Sequence, residues 1–178
     1  EVYNLSSQKD QPCIIDSTRT DKSPQLSPDA SQIVFESDRT GWDEIYFANA
    51  DCSNVRQLTN FRELGIGSPR WSPDGTRIVF DRRSKGQSDI YTIDLYGTQT
   101  VRVSGSIGSN ILPFWAPGGE WIYFSSNRAL PRTANQTWKV RVSGGEAVIV
   151  TPSGPVSRTS PILSADGRTL YYSRNNRL

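Results

Sequence analysis

A unit of about 45 residues recurs along this chain of 178 residues, and the repeat limits the folds available to it. Its clearest landmark is a turn of the Ser-Pro-Asp-Gly type. The four copies of that turn, with their variations, are Ser27-Pro28-Asp29-Ala30, Ser72-Pro73-Asp74-Gly75, Ala116-Pro117-Gly118-Gly119 and Ser164-Ala165-Asp166-Gly167. A fixed period of this length indicates a stack of similar structural units.

Short apolar runs flank each turn and have the composition of β-strands, with β-branched and aromatic residues separated by Gly, Asp, Asn and Ser. The runs after the turns are Ile33–Phe35, Ile78–Phe80, Ile122–Phe124 and Leu170–Tyr172. Later in each unit come Ile45-Tyr46, Ile90-Tyr91 and Thr137-Trp138, and then runs ending in Leu58-Thr59, Val103-Ser104 and Val150-Thr151. Strands that are apolar on both faces belong to sheets covered on both sides. The sequence therefore predicts an all-β fold, a β-propeller of four-stranded antiparallel blades, with Tyr46, Tyr91 and Trp138 packed between neighbouring blades.

The turn joins the first two strands of each unit as a tight hairpin. Pro presets the first turn residue, Asp caps the turn, and Gly supplies the positive φ that lets the chain re-enter the ladder. Ala30 occupies the glycine position of the first copy. If the backbone there is left-handed, Ala30 costs about 1 kcal/mol relative to Gly, so we expect Ala30→Gly to raise the melting temperature.

The two ends of the chain each supply half a unit, which predicts four blades' worth of strands in a single domain, 1–178. Residues 1–20 match the third and fourth strands and residues 156–178 the first and second strands of one split blade. Three full blades span 21–64, 65–108 and 109–155. Three arrangements are open: closure of the ends within one chain as a four-bladed ring, exchange of halves between two chains in an eight-bladed ring, or completion by blades of a longer parent protein. The chain contains no Met and is therefore expected to be either a processed product or a piece of a longer protein.

Composition argues against several classes of function. The chain has no His, which removes the usual general base, the commonest zinc ligand and any Ser-His-Asp arrangement, so no catalytic residue, metal site or cofactor is predicted. A net charge of +2 without a basic stripe does not indicate nucleic-acid binding. No apolar run approaches the roughly 18 residues of a spanning helix, so membrane insertion is not expected.

Two small groups of residues are interpreted as structural. Arg82, Arg83 and Lys85 form the densest basic cluster, which predicts a solvated loop. Cys13 and Cys52 are too few for a disulfide framework and are expected to be buried or idle thiols. They leave the compartment open, with periplasm and cytoplasm both compatible.

Polar loops leading into the innermost strands are the candidate binding residues. In propellers such loops line one mouth of the central channel, and Arg19, Arg62 and Arg158 together would favour an acidic peptide or another anionic ligand. Ordinary solvated loops are the alternative. The candidate ligand-binding residues are Arg19, Asp21, Arg62, Glu63, Asn110 and Arg158, and their neighbours Lys22 and Ser109 lie in the same loops.

The second repeat resembles the TolB-type propeller repeat, and the resemblance extends over essentially the whole chain. It is carried by Pro69-x-Trp71-Ser72-Pro73-Asp74-Gly75, by Ile78-Val79-Phe80 and by Asp89-Ile90-Tyr91. The third repeat departs from the pattern at Ala116 and Gly118 and in its longer loop, 125–136, so that blade is expected to carry something individual.

The resemblance implies a bacterial binding or scaffolding propeller without catalysis, with a peptide or protein as partner. The alternative is the accessory or gating propeller of a prolyl oligopeptidase-like hydrolase whose catalytic domain is absent. Because rings of this family usually have six or more blades, the resemblance favours a head-to-tail dimer over a four-bladed ring. Fold is implied more firmly than function, since propellers host unrelated tasks.

Overall fold

The structure, a computed structural model, describes residues 2–4, 9–11, 15, 17–105, 107–129, 134–151 and 157–175, with the backbone alone at 2–4, 9–11, 157–160, 174 and 175. These ranges contain β-strands, turns and loops, and the strands form antiparallel sheets. They include no helix long and apolar enough to cross a membrane. The all-β fold predicted from the repeat is confirmed.

Three four-stranded sheets follow one another along the chain, each with strands in sequence order. Blade 1 contains β3 (Asp21–Leu26), β4 (Gln32–Ser37), β5 (Glu44–Asn49) and β6 (Arg56–Gln57); blade 2 contains β7 (Ile66–Trp71), β8 (Arg77–Ser84), β9 (Gln87–Asp94) and β10 (Thr100–Arg102); blade 3 contains β11 (Asn110–Trp115), β12 (Trp121–Ser126), β13 (Gln136–Arg141) and β14 (Val148–Ile149). The outermost strands are short, because the chain must leave each sheet there to reach the next blade.

Two hairpins complete the described strands. The N-terminal hairpin pairs β1 (Val2–Asn4) with β2 (Lys9–Gln11), and the C-terminal hairpin pairs β15 (Ser157–Leu163) with β16 (Leu170–Asn175). Each is a two-stranded sheet, and the described strands of one do not pair with those of the other. The strand pairing that would close a four-bladed ring within one chain, one of the three arrangements that the strand pattern left open, is thus absent among the described strands.

Apolar residues between successive blades make up the core. One cluster joins blade 1 to blade 2 and includes the fully buried Ile45, Ile78 and Phe80, with Tyr91 packed against it. A second joins blade 2 to blade 3, and Trp138 packs against that one. Tyr91 and Trp138 thus lie between blades, as the repeat predicts.

Tryptophans of the innermost strands also link successive blades through hydrogen bonds. The indole Nε1–H of Trp71 donates to the Gln25 carbonyl of blade 1 at 3.1 Å, and that of Trp115 donates to the Arg70 carbonyl of blade 2 at 3.2 Å. Each bond holds the start of one turn against the innermost strand of the preceding blade. The two tryptophans therefore help to fix the spacing of the blades around their common axis.

The Ser-Pro-Asp-Gly turn is held by its own side chains. In blade 2 the Ser72 hydroxyl donates to Asp74 at 2.5 Å and accepts the Arg77 N–H at 2.9 Å, and Asp74 also accepts the Thr76 N–H. Gly75 has a φ of 69°. In blade 1 the same position is Ala30, with a φ of 58°, which confirms the left-handed backbone on which the predicted Ala30→Gly effect depends.

Two expectations from the sequence were wrong. Arg82 and Arg83 lie in strand β8, which continues to a two-residue turn at Lys85-Gly86, because residues 81–84 keep pairing with β9. Cys52 is disulfide-bonded and is therefore not an idle thiol.

Ile15, near the N-terminus, packs against the same buried cluster as Ile33 and Val55, and Val55 lies three residues after Cys52. The chain has one other cysteine, Cys13, which lies outside the described residues.

Candidate functional site: the inner cleft

A β-bulge recurs in the innermost strand of each blade and sets the direction of the residues after it. The register shifts between Lys22 and Gln25 in β3, and at the equivalent points of β7, β11 and β15. The bulged residues Ser23, Ser68 and Leu112 have φ values of 53°, 54° and 54°. A leucine in this region is uncommon, and such strain is concentrated at functional sites.

A cleft of about 540 Å³ lies between the innermost strands, and we call it the inner cleft. The innermost strand of each repeat contains a proline (Pro24, Pro69, Pro113 and Pro161), and the residue that follows it lines the cleft, namely Gln25, Arg70, Phe114 and Ile162. The remaining lining residues are Leu112, Pro113, Trp115, Pro117, Pro161, Leu163, Ser164 and Ala165. The wall is therefore mainly apolar, and Arg70 is the one charged side chain among these described lining residues.

Arg70 is half-buried in this cleft. Its Nη1 donates to the carbonyl of Pro69 at 2.8 Å. Burial lowers the pKa of the guanidinium, and the nearby carboxylate of Asp81 partly opposes that change. In blade 1 the equivalent Gln25 makes the same contact, with Nε2 donating to the Pro24 carbonyl at 2.8 Å. The guanidinium is therefore a half-buried cation in the cleft wall.

Asp81 lies behind the cleft wall, between blades 2 and 3. Its Oδ1 accepts the N–H of Leu112 at 3.2 Å, and the Ser68 hydroxyl donates to the same carboxylate. Burial raises the pKa of Asp81 to about 6; the negative charge of Glu36 adds to this rise, whereas the two hydrogen bonds and Arg70 act against it. The carboxylate therefore holds the strained bulge in place while giving Arg70 only partial charge compensation.

The residues predicted from the loops lie away from these side chains, at the ends of the blades where the innermost strands begin. Asp21 forms an ion pair with Arg39 at 3.0 Å, and the Arg39 guanidinium stacks over Phe35 and Tyr46. These contacts join the start of β3 to the loop that follows β4. They make Asp21 part of the local framework.

Glu63 and Asn110 have similar local partners. Glu63 forms an ion pair with Arg82 at 2.9 Å. Asn110 is fully buried, accepts from Arg128 at 2.9 Å and donates to Asp89 at 3.1 Å. Glu63 thus joins the loop before blade 2 to strand β8, and Asn110 joins blade 3 to strand β9 of blade 2.

The structure describes fewer contacts for the three arginines that were predicted to form an anion site. Arg19 and Arg62 are exposed; the Arg62 N–H donates to Glu44 at 2.7 Å. Arg158 lies in β15, and its side chain is outside the described residues. The described contacts do not bring these arginines together, and a ligand-binding role for them stays a prediction.

Sequence reasoning missed a polar network that recurs at the start of the third strand. The Glu44 carboxylate accepts a hydrogen bond from the Thr59 hydroxyl at 2.5 Å, and the Ile45 N–H donates to the same hydroxyl at 2.8 Å. Asp89 with Ser104, and Gln136 with Thr151, repeat the arrangement in blades 2 and 3. Aligning the repeats would have revealed both this network and the lining position after each proline, which carries Arg70.

Comparison with known proteins gives the same fold. A putative TolB from Agrobacterium tumefaciens superimposes with a TM-score of 0.77 at 26% identity, over 86% of this chain and 54% of that one. TolB from Acinetobacter baumannii gives 0.74 at 27% identity, over 86% of this chain and 37% of that one. This chain thus spans about half or less of the length of these structures.

A curated relative and a family match extend the comparison to sequence. "Uncharacterized protein Atu1656" of Agrobacterium fabrum is 35% identical over 63 residues, which is 35% of this chain and 20% of that protein. The family described as "TolB beta propeller domain" matches residues 58–177, about two thirds of the chain. The chain therefore belongs to the TolB beta propeller domain family.

Proposed function

We propose that this chain is a non-catalytic binding propeller whose inner cleft holds a peptide segment of a partner. The observation that carries the proposal is the cleft itself, which all four repeats line with the residue that follows their proline. A concave, mainly apolar site with a few directed polar groups is the usual form of a ligand site. The rigid sheets on either side hold its walls without any catalytic group being required.

A random heptapeptide library displayed on phage tests this proposal. We expect panning on the immobilised full chain to enrich peptides whose binding is lost in Phe114→Ala, because Phe114 forms part of the cleft wall. The matched control is Tyr96→Ala, which removes an aromatic side chain that is 88% exposed in the turn after β9. Enriched peptides that bind Phe114→Ala as well as wild type, or no enrichment at all, would contradict the proposal.

We extend the same proposal to the exposed arginines at the ends of the blades where the innermost strands begin. Arg19 and Arg62 carry charges that can attract an acidic partner before it reaches the cleft, an effect that acts mainly on the association rate. The triple variant Arg19→Glu, Arg62→Glu, Arg158→Glu should slow association of an enriched acidic peptide. An unchanged association rate at low salt would remove these residues from the proposal.

Self-association is the second part of the proposed function. The outer edges of β1 and β16 pair with no described strand, and unpaired strand edges readily accept a strand from another chain. In each complete blade the third strand pairs with the second strand. By position in the repeat, β1 corresponds to a third strand and β16 to a second strand. We propose that two chains exchange hairpins head to tail, so that each split blade is completed by its partner.

Light scattering on a sizing column measures this directly. A particle of about twice 19.8 kDa would support the exchange. A particle of the mass of one chain would contradict it and would leave two explanations, closure within one chain as a four-bladed ring or completion by blades of a longer parent protein. The peptide-binding proposal does not depend on this result, because the cleft residues belong to one chain.

A further inference from the structure

We propose that the inner cleft recognises a carboxylate next to an apolar group, with Arg70 binding the carboxylate and Phe114 and Ile162 contacting the apolar part. This inference rests on the proposed binding function and adds the chemistry of the ligand to it. The carboxylate can come from a peptide C-terminus or from an acidic side chain, since both present the same two oxygens.

The donor capacity of Arg70 supports this assignment. A guanidinium has five N–H donors in a planar fork that matches the two oxygens of a carboxylate. One of its groups donates to the Pro69 carbonyl. Within the described part of the chain, the Arg70 guanidinium makes no ion pair and no other hydrogen bond. Most of its donors are therefore available to a ligand.

The hydrogen bond of Arg70 to the backbone does not need a charge. Gln25, at the same position of blade 1, makes the same hydrogen bond to its own proline carbonyl at the same distance of 2.8 Å. A neutral amide thus satisfies the backbone at this point of the repeat. A partly buried cation in a cleft without another charged lining residue, compensated only in part by Asp81 behind the wall, indicates a role in binding an anion.

The wall around Arg70 supplies the apolar half of the site. Ile162 and Leu112 are 65% and 42% exposed, which is high for large apolar side chains that line a concave surface. Leu112 is held in its strained backbone conformation by Asp81. A free inorganic anion would leave this surface in water, whereas a ligand with an apolar group beside its carboxylate would cover it.

Blocked dipeptides test the inference through the indole N–H signal of Trp115 in an NMR titration of the full chain. Acetyl-Leu-Phe with a free C-terminus and acetyl-Glu-Phe-amide carry the carboxylate in two different places, and acetyl-Leu-Phe-amide carries none. We expect at least one acid to bind at least tenfold more tightly than the neutral dipeptide. The acid that binds more tightly identifies the source of the carboxylate.

Variants at Arg70 separate its charge from its structural bond. Arg70→Gln should weaken binding of the acids to the level of the neutral dipeptide, and Arg70→Lys should retain part of the preference. Arg77→Gln, which removes one charge from an exposed residue outside the lining of the inner cleft, should leave binding unchanged. A melting temperature of Arg70→Gln within a few degrees of wild type would show that the fold is intact.

Equal binding of acids and neutral dipeptide, unchanged acid binding in Arg70→Gln, or no shift of Trp115 with any dipeptide would overturn the inference. The proposed binding function fails on a different result, the absence of phage peptides that depend on Phe114. Neutral peptides that need Phe114 but not Arg70 would leave the binding function standing without the carboxylate.

Discussion

Each blade packs face to face against the next sheet, and we call such an interface a joint. The first joint, between blades 1 and 2, and the last, between blade 3 and the C-terminal hairpin, use the same backbone positions with different side chains. The register makes them equivalent, since Val34 pairs with Phe47 in blade 1 as Tyr123 pairs with Lys139 in blade 3. In the first joint, the side chains that blade 1 contributes from its second strand, its third strand and the residue after its fourth strand are Val34, Ile45, Phe47 and Leu58. The equivalent residues of blade 3 in the last joint are Tyr123, Thr137, Lys139 and Val150.

The last joint buries hydroxyls without hydrogen-bond partners among the described residues, whereas Glu36, the buried polar side chain at the Ser125 position of the first joint, accepts from Lys22 at 3.0 Å. The hydroxyls of Ser125 and Thr137 are buried without a hydrogen-bond partner among the described residues. Lys139 and Arg141 each stack over Trp121 at 4.6 Å and hold cations where blade 1 has an aromatic ring and an amide. The repeat therefore specifies the shape of a blade, whereas the side chains at each joint determine how firmly neighbouring blades are held together.

The largest effect expected from this comparison is at Ile45. Its side chain is fully buried in the apolar joint, so Ile45→Ala should lower the free energy of unfolding by about 2–4 kcal/mol through lost burial and a cavity. Thr137→Ala, at the equivalent position, removes a methyl and an unpaired hydroxyl together and should cost less than about 1 kcal/mol. Urea unfolding measures both, and equal losses would show that the two joints are equally stabilising.

The next effect concerns Asp81, which occupies the position of Glu36 in blade 1 and Ser125 in blade 3. Its folded pKa of about 6 lies above the ordinary value of 3.8, so the folded chain binds the proton more tightly. The free energy of unfolding should therefore fall as pH rises from about 4 to about 6. Asp81→Asn keeps an acceptor for Leu112, should flatten this dependence, and should gain roughly 1–2 kcal/mol at pH 7.

Asp74 provides the control of opposite sign. The Ser72 hydroxyl and then the Thr76 N–H lower the pKa of this carboxyl. Its stabilising contribution is therefore present above the ordinary pKa and is lost as pH falls through the folded value. Asp74→Asn should reduce stability at pH 7 and leave the pH 4–6 slope intact. Thermal melts of both variants across pH 3–8 would show whether Asp81 is the source of that slope.

A smaller effect is expected when the last joint is made to resemble the first. Thr137→Val replaces an unpaired buried hydroxyl by a methyl of similar size and should raise the free energy of unfolding by about 1 kcal/mol. Thr151→Val is the contrasting variant, because the Thr151 hydroxyl accepts the Thr137 N–H at 3.0 Å. That change should destabilise the protein. A loss with Thr137→Val in urea unfolding would mean that its hydroxyl has a partner.

The smallest effect is expected in the turns. Ala30 has the same left-handed backbone as Gly75, so Ala30→Gly should stabilise the protein by about 0.5–1 kcal/mol and raise its melting temperature by a few degrees. Gly75→Ala is the reverse test; a Cβ there would lie 3.7 Å from Pro28 Cδ, an ordinary contact, so its cost comes from φ alone. A lower melting temperature in Ala30→Gly, measured by calorimetry, would contradict this account.

The sequence by itself determined the strands, the turns and the family. These features depend on short stretches of chain: apolar runs of strand length, and a turn whose Ser, Asp and Gly satisfy one another within a few residues. They predicted the all-β fold and the backbone of Ala30. The candidate site was predicted less well, because Asp21, Glu63 and Asn110 proved to have local partners.

Only the tertiary structure decided which residues meet between blades. The bond from Trp71 to Gln25 joins residues 46 apart, and that from Leu112 to Asp81 joins residues 31 apart. No local pattern records such contacts, since they depend on how one sheet packs against the next. The inner cleft, the half-buried charge of Arg70 within it and the raised pKa of Asp81 all follow from that packing, because burial and proximity exist only once the blades are assembled.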